Sequence, residues 1–279
     1  MVRNLEVFES VKSNNYWSED EVRILKKFYQ STEVEKIAQL VGRSKDAVWS
    51  KAAKMDLKRI DSKLIQPNLV PSETLCYILG VLKGDGSVYA DKHGHYCVRL
   101  QVKDILFAES FEKALSKIGL HPNYRYMESE KRPPHIVIAY SKKMANWYSG
   151  LTLDNIASFL VNVTFGISFI RGFYESEGSF THTWRQKRKQ HQWKLALYNS
   201  NEPLLRMVHD ILKELGFNFH WQKPRLHKPH MFRGRLIVIR KPVCYIQTQS
   251  KYEILDFLSL IHPCIKGNVN KIINIKNGD

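Results

Sequence analysis

Two ten-residue stretches constrain this chain more than anything else in it: Tyr77-Ile-Leu-Gly-Val-Leu-Lys-Gly-Asp-Gly86 and Phe169-Ile-Arg-Gly-Phe-Tyr-Glu-Ser-Glu-Gly178. Each reads as the end of an apolar helix, stopped by a carboxylate and then a glycine. Gly80 matches Gly172, Gly84 matches Ser176, and Asp85 matches Glu177, always 92 residues apart. A repeat of that size predicts two similar half-domains. In each copy the small residues fall four apart on one helical face, so a second helix can approach almost backbone to backbone. Glycine inside a helix costs about 0.5–1 kcal/mol relative to alanine, and mutual close packing of the two motif helices accounts for keeping it.

The acids are the sharper clue. A helix C-terminus carries partial negative charge, so a carboxylate there is disfavoured, and here it occurs twice at matching positions. Packing the two helices through Gly80, Gly84, Gly172 and Ser176 brings the like charges of Asp85 and Glu177 near each other. A divalent cation resolves that repulsion, and paired carboxylates suit Mg²⁺. Single Asp-Gly or Glu-Gly helix stops are common, but a matched pair in matched context is not.

After each motif the chain alternates with a period of two. Tyr96, Val98, Leu100 and Val102 face a core in the first half, and Trp193, Leu195 and Leu197 in the second. Helices are predicted over 105–118 and 202–215, then strands at 124–127 with 135–140 and at 218–222 with 236–240. Helices near 142–149 and 251–261 complete each half as α-β-β-α-β-β-α. The fold class is therefore α+β. The free face of such sheets carries Arg99, Gln101, Lys103, Lys194 and Tyr198, side chains that bind phosphates and read base edges. Arg185, Lys187 and Arg188 form a dense positive hairpin loop expected to reach along a DNA backbone.

Charge supports that partner. The net charge is +16, with a pI near 9.6, which makes a polyanion the expected ligand. No apolar run of roughly 18 residues points to a membrane span. The four cysteines are scattered, which fits a reducing intracellular compartment (cytoplasm, nucleoid or organelle matrix) and argues against a disulfide framework or a zinc site.

The first sixty residues read differently. Ser18 and Glu21 make a capping box, and a second short helix runs through Val34 and Leu40. Gly42-Arg43 turns the chain into a third helix starting at about Lys45. Lys51 and Lys54 line a basic stripe on it, with Lys45 nearby. Three short helices with a glycine turn before a basic third helix suit a helix-turn-helix. With Trp17 and Trp49, they resemble the Myb/SANT-like DNA-binding domains. The competing reading is a small bundle with core tryptophans and solvated lysines. The expected boundaries are a trihelical domain at 1–62, a linker at 63–71, and half-domains at 72–162 and 163–279.

The two motifs themselves resemble those of single-chain LAGLIDADG homing endonucleases, a likeness running from about Ser72 to Ile275. That resemblance implies two pseudo-symmetric half-domains that meet through the motif helices and form a saddle over DNA. It implies metal ligation by Asp85 and Glu177, and double-strand cleavage across the minor groove of a long, largely asymmetric site by a monomer. The cofactor would be two or three Mg²⁺ ions, with Mn²⁺ able to substitute. Lys103 and Lys266 are the basic catalytic candidates by the same likeness. Lys83 departs from the family pattern, which usually has an acid or polar residue there. Two alternatives share the fold: a DNA-binding regulator that no longer cuts, and a maturase acting on intron RNA.

Overall fold

The structure is a computed structural model. It describes residues 16–29, 32, 34–57, 66–91, 93–127, 134–186, 189–225, 230–232, 235–237 and 242–267. The chain divides into two compact units, Met1–Ile65 and Gln66–Asp279.

The first unit holds three helices: α1 (Glu19–Phe28), α2 (Val34–Val41) and α3 (Lys45–Lys54). The capping box forms as expected, with the Ser18 side chain accepting from the Glu21 amide and the Glu21 side chain accepting from the Ser18 amide. Leu25, Ile37, Val48 and Ala52 are wholly buried at the centre of its core. Beside that core lies a buried ion pair, Arg43 to Glu21 at 3.0 Å. The Arg43 guanidinium also lies 4.8 Å from the Trp17 ring centroid. The two tryptophans part company: Trp17 packs against the core, whereas Trp49 is half exposed on α3.

The second unit begins with α4 (Glu73–Leu82), β1 (Ser87–Ala90), β2 (Tyr96–Val102) and α5 (Ile105–Lys117). It continues through β3 (Asn123–Tyr126), β4 (His135–Tyr140), α6 (Lys142–Ser149) and α7 (Leu153–Phe159). The other half comprises α8 (Val163–Glu177), β5 (Gly178–Arg185), β6 (Gln190–Asn199), α9 (Glu202–Glu214) and β7 (His220–Arg225). A short pair follows, β8 (His230–Phe232) and β9 (Arg235–Ile237), then β10 (Val243–Thr248) and α10 (Lys251–Ile261). Both four-stranded sheets are antiparallel, ordered β1-β2-β4-β3 and β5-β6-β10-β7. The α+β class and the doubled α-β-β-α-β-β-α plan are thus present.

Three details differ from the sequence reading. In the second sheet β10 lies between β6 and β7, whereas of the strand expected at 236–240 residues 238–240 lie outside the described residues. Leu236 and Ile237 belong to β9, which among the described residues pairs with β8. In Val243-Cys-Tyr-Ile-Gln-Thr248, Cys244 and Ile246 supply buried core contacts. Next, α7 follows α6 as an additional helix with its own capping box at Thr152 and Asn155. Finally, part of the stretch read as linker docks on the second unit. Asn68 donates its amide to the Ile118 carbonyl, and Leu69 packs on the core.

The meeting of α4 and α8 organises this unit. A Cβ added at Gly80 would stand 2.2 Å from the Phe169 carbonyl oxygen, and one at Gly172 would stand 2.3 Å from that of Tyr77. At the next turn a Cβ on Gly84 would stand 2.3 Å from the Ser176 Cβ. The obstructing atoms at Gly80 and Gly172 are backbone, so no rotamer change relieves the overlap. Gly80→Ala or Gly172→Ala should cost about 3 kcal/mol or more by overpacking. Urea denaturation checks this, with Gly150→Ala as the control: its Cβ would meet nothing nearer than 3.6 Å.

Candidate active site

The close crossing delivers Asp85 and Glu177 to one place. Glu177 is the last residue of α8, whereas α4 ends at Leu82 and Asp85 lies in the turn beyond it. The expectation of an acid on a helix end is therefore met in full only by the second copy. Gly84, next to Asp85, comes so near that a Cβ on it would be 3.0 Å from Cγ of Glu177.

The electrostatics follow from that proximity. Burial, and then the charge of Asp85, push Glu177 up to about 7, while Lys266 acts in the opposite sense. Asp85 keeps contact with solvent, yet the protein packed around it raises its pKa, again opposed by Lys266. Burial lowers Lys266, and the charges of Asp85, Glu177, Glu175 and Asp104 work against that lowering. The Lys266 ammonium donates to the Ser176 carbonyl at 2.7 Å.

Of the two sequence-derived lysines, the structure brings Lys266 to the acids. Lys103 lies one residue past the end of β2 and is exposed. Among the described residues no hydrogen bond or ion pair joins Lys103 to either acid. Three residues at the site escaped sequence reasoning. Asn199, at the end of β6, donates its side-chain amide to Glu177 at 3.3 Å. Glu175 is wholly buried and accepts from the Tyr77 hydroxyl at 2.7 Å, Arg171 Nε at 3.1 Å and the Cys264 amide at 2.8 Å. Tyr174 donates its hydroxyl to the Lys266 carbonyl. For Glu175 a signal existed: a second acid on the motif helix two residues before the paired acid, with Arg171 one turn before it.

The donor set fits a hard divalent cation. Two carboxylates and an amide oxygen-bearing side chain offer oxygen ligands, and the clash of like charges gives a cation something to relieve. Among the described residues no cluster of three or more His, Cys, Asp or Glu could by itself enclose a metal.

The outer sheet faces carry the expected polar residues. Arg99 donates to Gln101 on the first sheet, and Arg185 donates to Gln192 at 2.6 Å on the second. Tyr198 stacks on Tyr245 with ring centroids 5.3 Å apart, and Lys194 lies 5.3 Å from the Tyr245 ring centroid. Lys187 and Arg188 lie outside the described residues. In the first unit Lys45 pairs with Glu35, Lys51 lies 5.9 Å from the Trp17 ring centroid, and Lys54 is exposed.

Comparison with known proteins agrees with this architecture. Residues 165–261 match the LAGLIDADG-like domain. The match runs from within α8 to the end of α10, so the LAGLIDADG-like region contains Glu177, Asn199 and the second sheet. Two proteins of Methanocaldococcus jannaschii are similar in sequence. Uncharacterized protein MJ0314 is 33% identical over 174 residues, 59% of this chain and 65% of that protein. Uncharacterized protein MJ0398 is 34% identical over 149 residues, 53% of this chain and 51% of that protein. The chain thus spans between half and two thirds of the length of these curated relatives. Among solved structures, I-DmoI in complex with DNA and Mn is 21% identical, with a TM-score of 0.45, over 69% of this chain and 97% of that one.

The raised pKa of Glu177 has a testable sign. Its folded value near 7 lies above the unfolded value of about 4.5, so the folded state holds the proton more tightly. Stability from this group is present below the unfolded value and is lost as pH rises through 7. Without divalent ions, Glu177→Gln should therefore raise the melting temperature at pH 8 and leave it unchanged at pH 4. Adding Mg²⁺ at pH 8 should stabilise the parent protein more than the variant. Thermal melts at both pH values, with and without Mg²⁺, measure it.

Proposed function

We propose that this protein is a site-specific, divalent-metal-dependent endonuclease acting on double-stranded DNA. One observation carries the reading: two carboxylates from equivalent positions of a repeat, Asp85 and Glu177, converge with Lys266 where two helices meet. A protein that only bound DNA would gain nothing from acids placed where phosphates are expected. The net charge of +16 and the Arg- and Gln-bearing outer sheet faces support a nucleic-acid partner. The LAGLIDADG-like match over residues 165–261 agrees with it.

Asp85 and Glu177 would hold Mg²⁺, or Mn²⁺ in its place, with Asn199 beside them. A bound divalent ion supplies Lewis-acid polarisation of the scissile phosphate and a more acidic water. Asp85 and Glu177 set the negative pole of the site, and Lys266 its positive pole. The Lys266 ammonium can stabilise charge on the leaving oxygen or donate a proton to it. Asn199, donating to one Glu177 oxygen, would hold that carboxylate in place and leave its other oxygen for the ion. Arg99, Gln101, Lys194, Tyr198 and Arg185 contact the duplex on either side, spreading recognition over a long asymmetric site for one monomer. The trihelical unit adds a tethered DNA contact through α3, where Lys51, Lys54 and the exposed Trp49 are available.

Incubation of a randomised DNA library with protein and Mg²⁺, followed by sequencing of cut ends, tests the reading. Discrete double-strand breaks at one sequence family are expected. Asp85→Asn and Glu177→Gln should each lower cutting by about 10³-fold while binding of the same DNA is kept. Full cutting by either variant would overturn the assignment of the acids. If the parent protein binds one sequence family and never cuts it, a regulator of the same fold is the correct reading. Removing residues 1–62 should weaken DNA binding by about 10²-fold and leave Mg²⁺-dependent cutting in place.

A further inference from the structure

We propose that Glu175 is the positioning residue that seats Lys266 against the paired acids. The proposal rests on the reading of Asp85, Glu177 and Lys266 as the reaction site, and it assigns a task to a carboxylate that the site chemistry leaves unused.

Lys266 follows α10 on a segment with an unusual backbone. His262 has φ 45°, Lys266 φ 59° and Gly267 φ 138°, so three of six consecutive residues take left-handed or similar positive-φ conformations. Two of the three are not glycine. Such a path persists only when surrounding bonds over-determine it. Three bonds do so, and all three reach consecutive residues of α8. Glu175 accepts the Cys264 amide at 2.8 Å, the Tyr174 hydroxyl donates to the Lys266 carbonyl, and Lys266 itself donates to the Ser176 carbonyl at 2.7 Å. The segment is clamped along the last turn of the helix that ends in Glu177.

Glu175 is the part of this clamp that senses the rest of the fold. Its side chain is wholly buried, and a buried carboxylate must be saturated with donors to be tolerated. Besides the Cys264 amide it takes the Tyr77 hydroxyl from α4 and Arg171 Nε from its own helix, with the Arg171 guanidinium 5.3 Å from the Tyr77 ring centroid. The carboxylate thus joins α4, α8 and the Lys266 segment at one point.

The repeat supplies a contrast. The position equivalent to Glu175 in the first motif is Lys83, which cannot accept an amide. Its ammonium instead lies 4.7 Å from the ring centroid of Tyr148 on α6. The acid therefore occurs in the half whose trailing segment brings a lysine to the site. A simpler role, fastening α4 to α8 through Tyr77, leaves the Cys264 bond without a purpose.

The protein carrying ¹³C-labelled lysine separates these roles without DNA or metal. The Lys266 ε-CH₂ signal, assigned by its loss in Lys266→Arg, should lie apart from those of solvated lysines. In Glu175→Ala it should move into the solvated group. In Glu175→Gln, whose amide oxygen can still accept from Cys264, it should stay near its parent position. Tyr77→Phe removes only the bond between helices and should leave the signal in place.

In cleavage assays Glu175→Ala should lower kcat by about 10²-fold with DNA affinity kept, and Glu175→Gln should recover most of the loss. An unmoved Lys266 signal in Glu175→Ala, or an equal displacement in Tyr77→Phe, overturns the proposal. Should the alanine variant not fold, amide exchange in the parent protein decides: the Cys264 amide should exchange about 10²-fold or more below its open-chain rate, and an unprotected amide refutes the bond. The lysine signal and amide exchange are read whether or not the protein cuts DNA, so failure of the endonuclease reading stays distinguishable from failure of this one.

Discussion

The approach of α4 and α8 at Gly80 and Gly172 is the constraint on which the rest of the second unit depends. With hydrogen in place of side chains, carbonyl oxygens of one helix occupy the space a Cβ would need on the other. An overlap of that depth with backbone atoms is far more than a close-packed interior can absorb without the helices moving apart. Holding the helices this close brings Asp85 beside Glu177 and lets Tyr77 reach Glu175. Each helix also packs on its own sheet, so the geometry of the crossing sets where both sheets stand relative to the acids.

Two carboxylates on one turn of α8 have very different surroundings. Glu175 is saturated by three donors, one of them an arginine, and faces inward. Glu177 receives one amide bond at 3.3 Å from Asn199 and faces another carboxylate. The first is an internal anchor. Among the described residues the second has that single donor, and the repulsion between the two carboxylates is left standing. Neighbouring residues of the same type can thus divide structural and chemical work when one points into the bundle and the other off its end.

Much of this was legible in the sequence because it is local or periodic. The matched motifs, the glycine face, the capping box at Ser18 and the alternation of β2 and β6 each span only a few neighbouring residues. What escaped depends on contacts distant along the chain. Tyr77 and Glu175 are 98 residues apart, and Glu175 and Cys264 are 89 apart. No local pattern records either bond. The place of β10 in the second sheet, with Cys244 and Ile246 in the core, likewise rests on contacts distant along the chain. Lys103 and Lys266 looked equivalent as basic candidates. Only the backbone after α10 carries one of them to the acids.

The opposite charges at Lys83 and Glu175 bear on how such a protein can change over generations. In an assembly of two identical subunits every substitution at the crossing appears twice, and an acid that suited one side would be imposed on the other. A chain holding both halves is free of that rule. One half can keep a glutamate bonded to its trailing segment while the other carries a lysine against an aromatic ring, and neither choice burdens its counterpart. At the crossing itself, divergence between the halves is held in check by Gly80 and Gly172, one glycine from each helix.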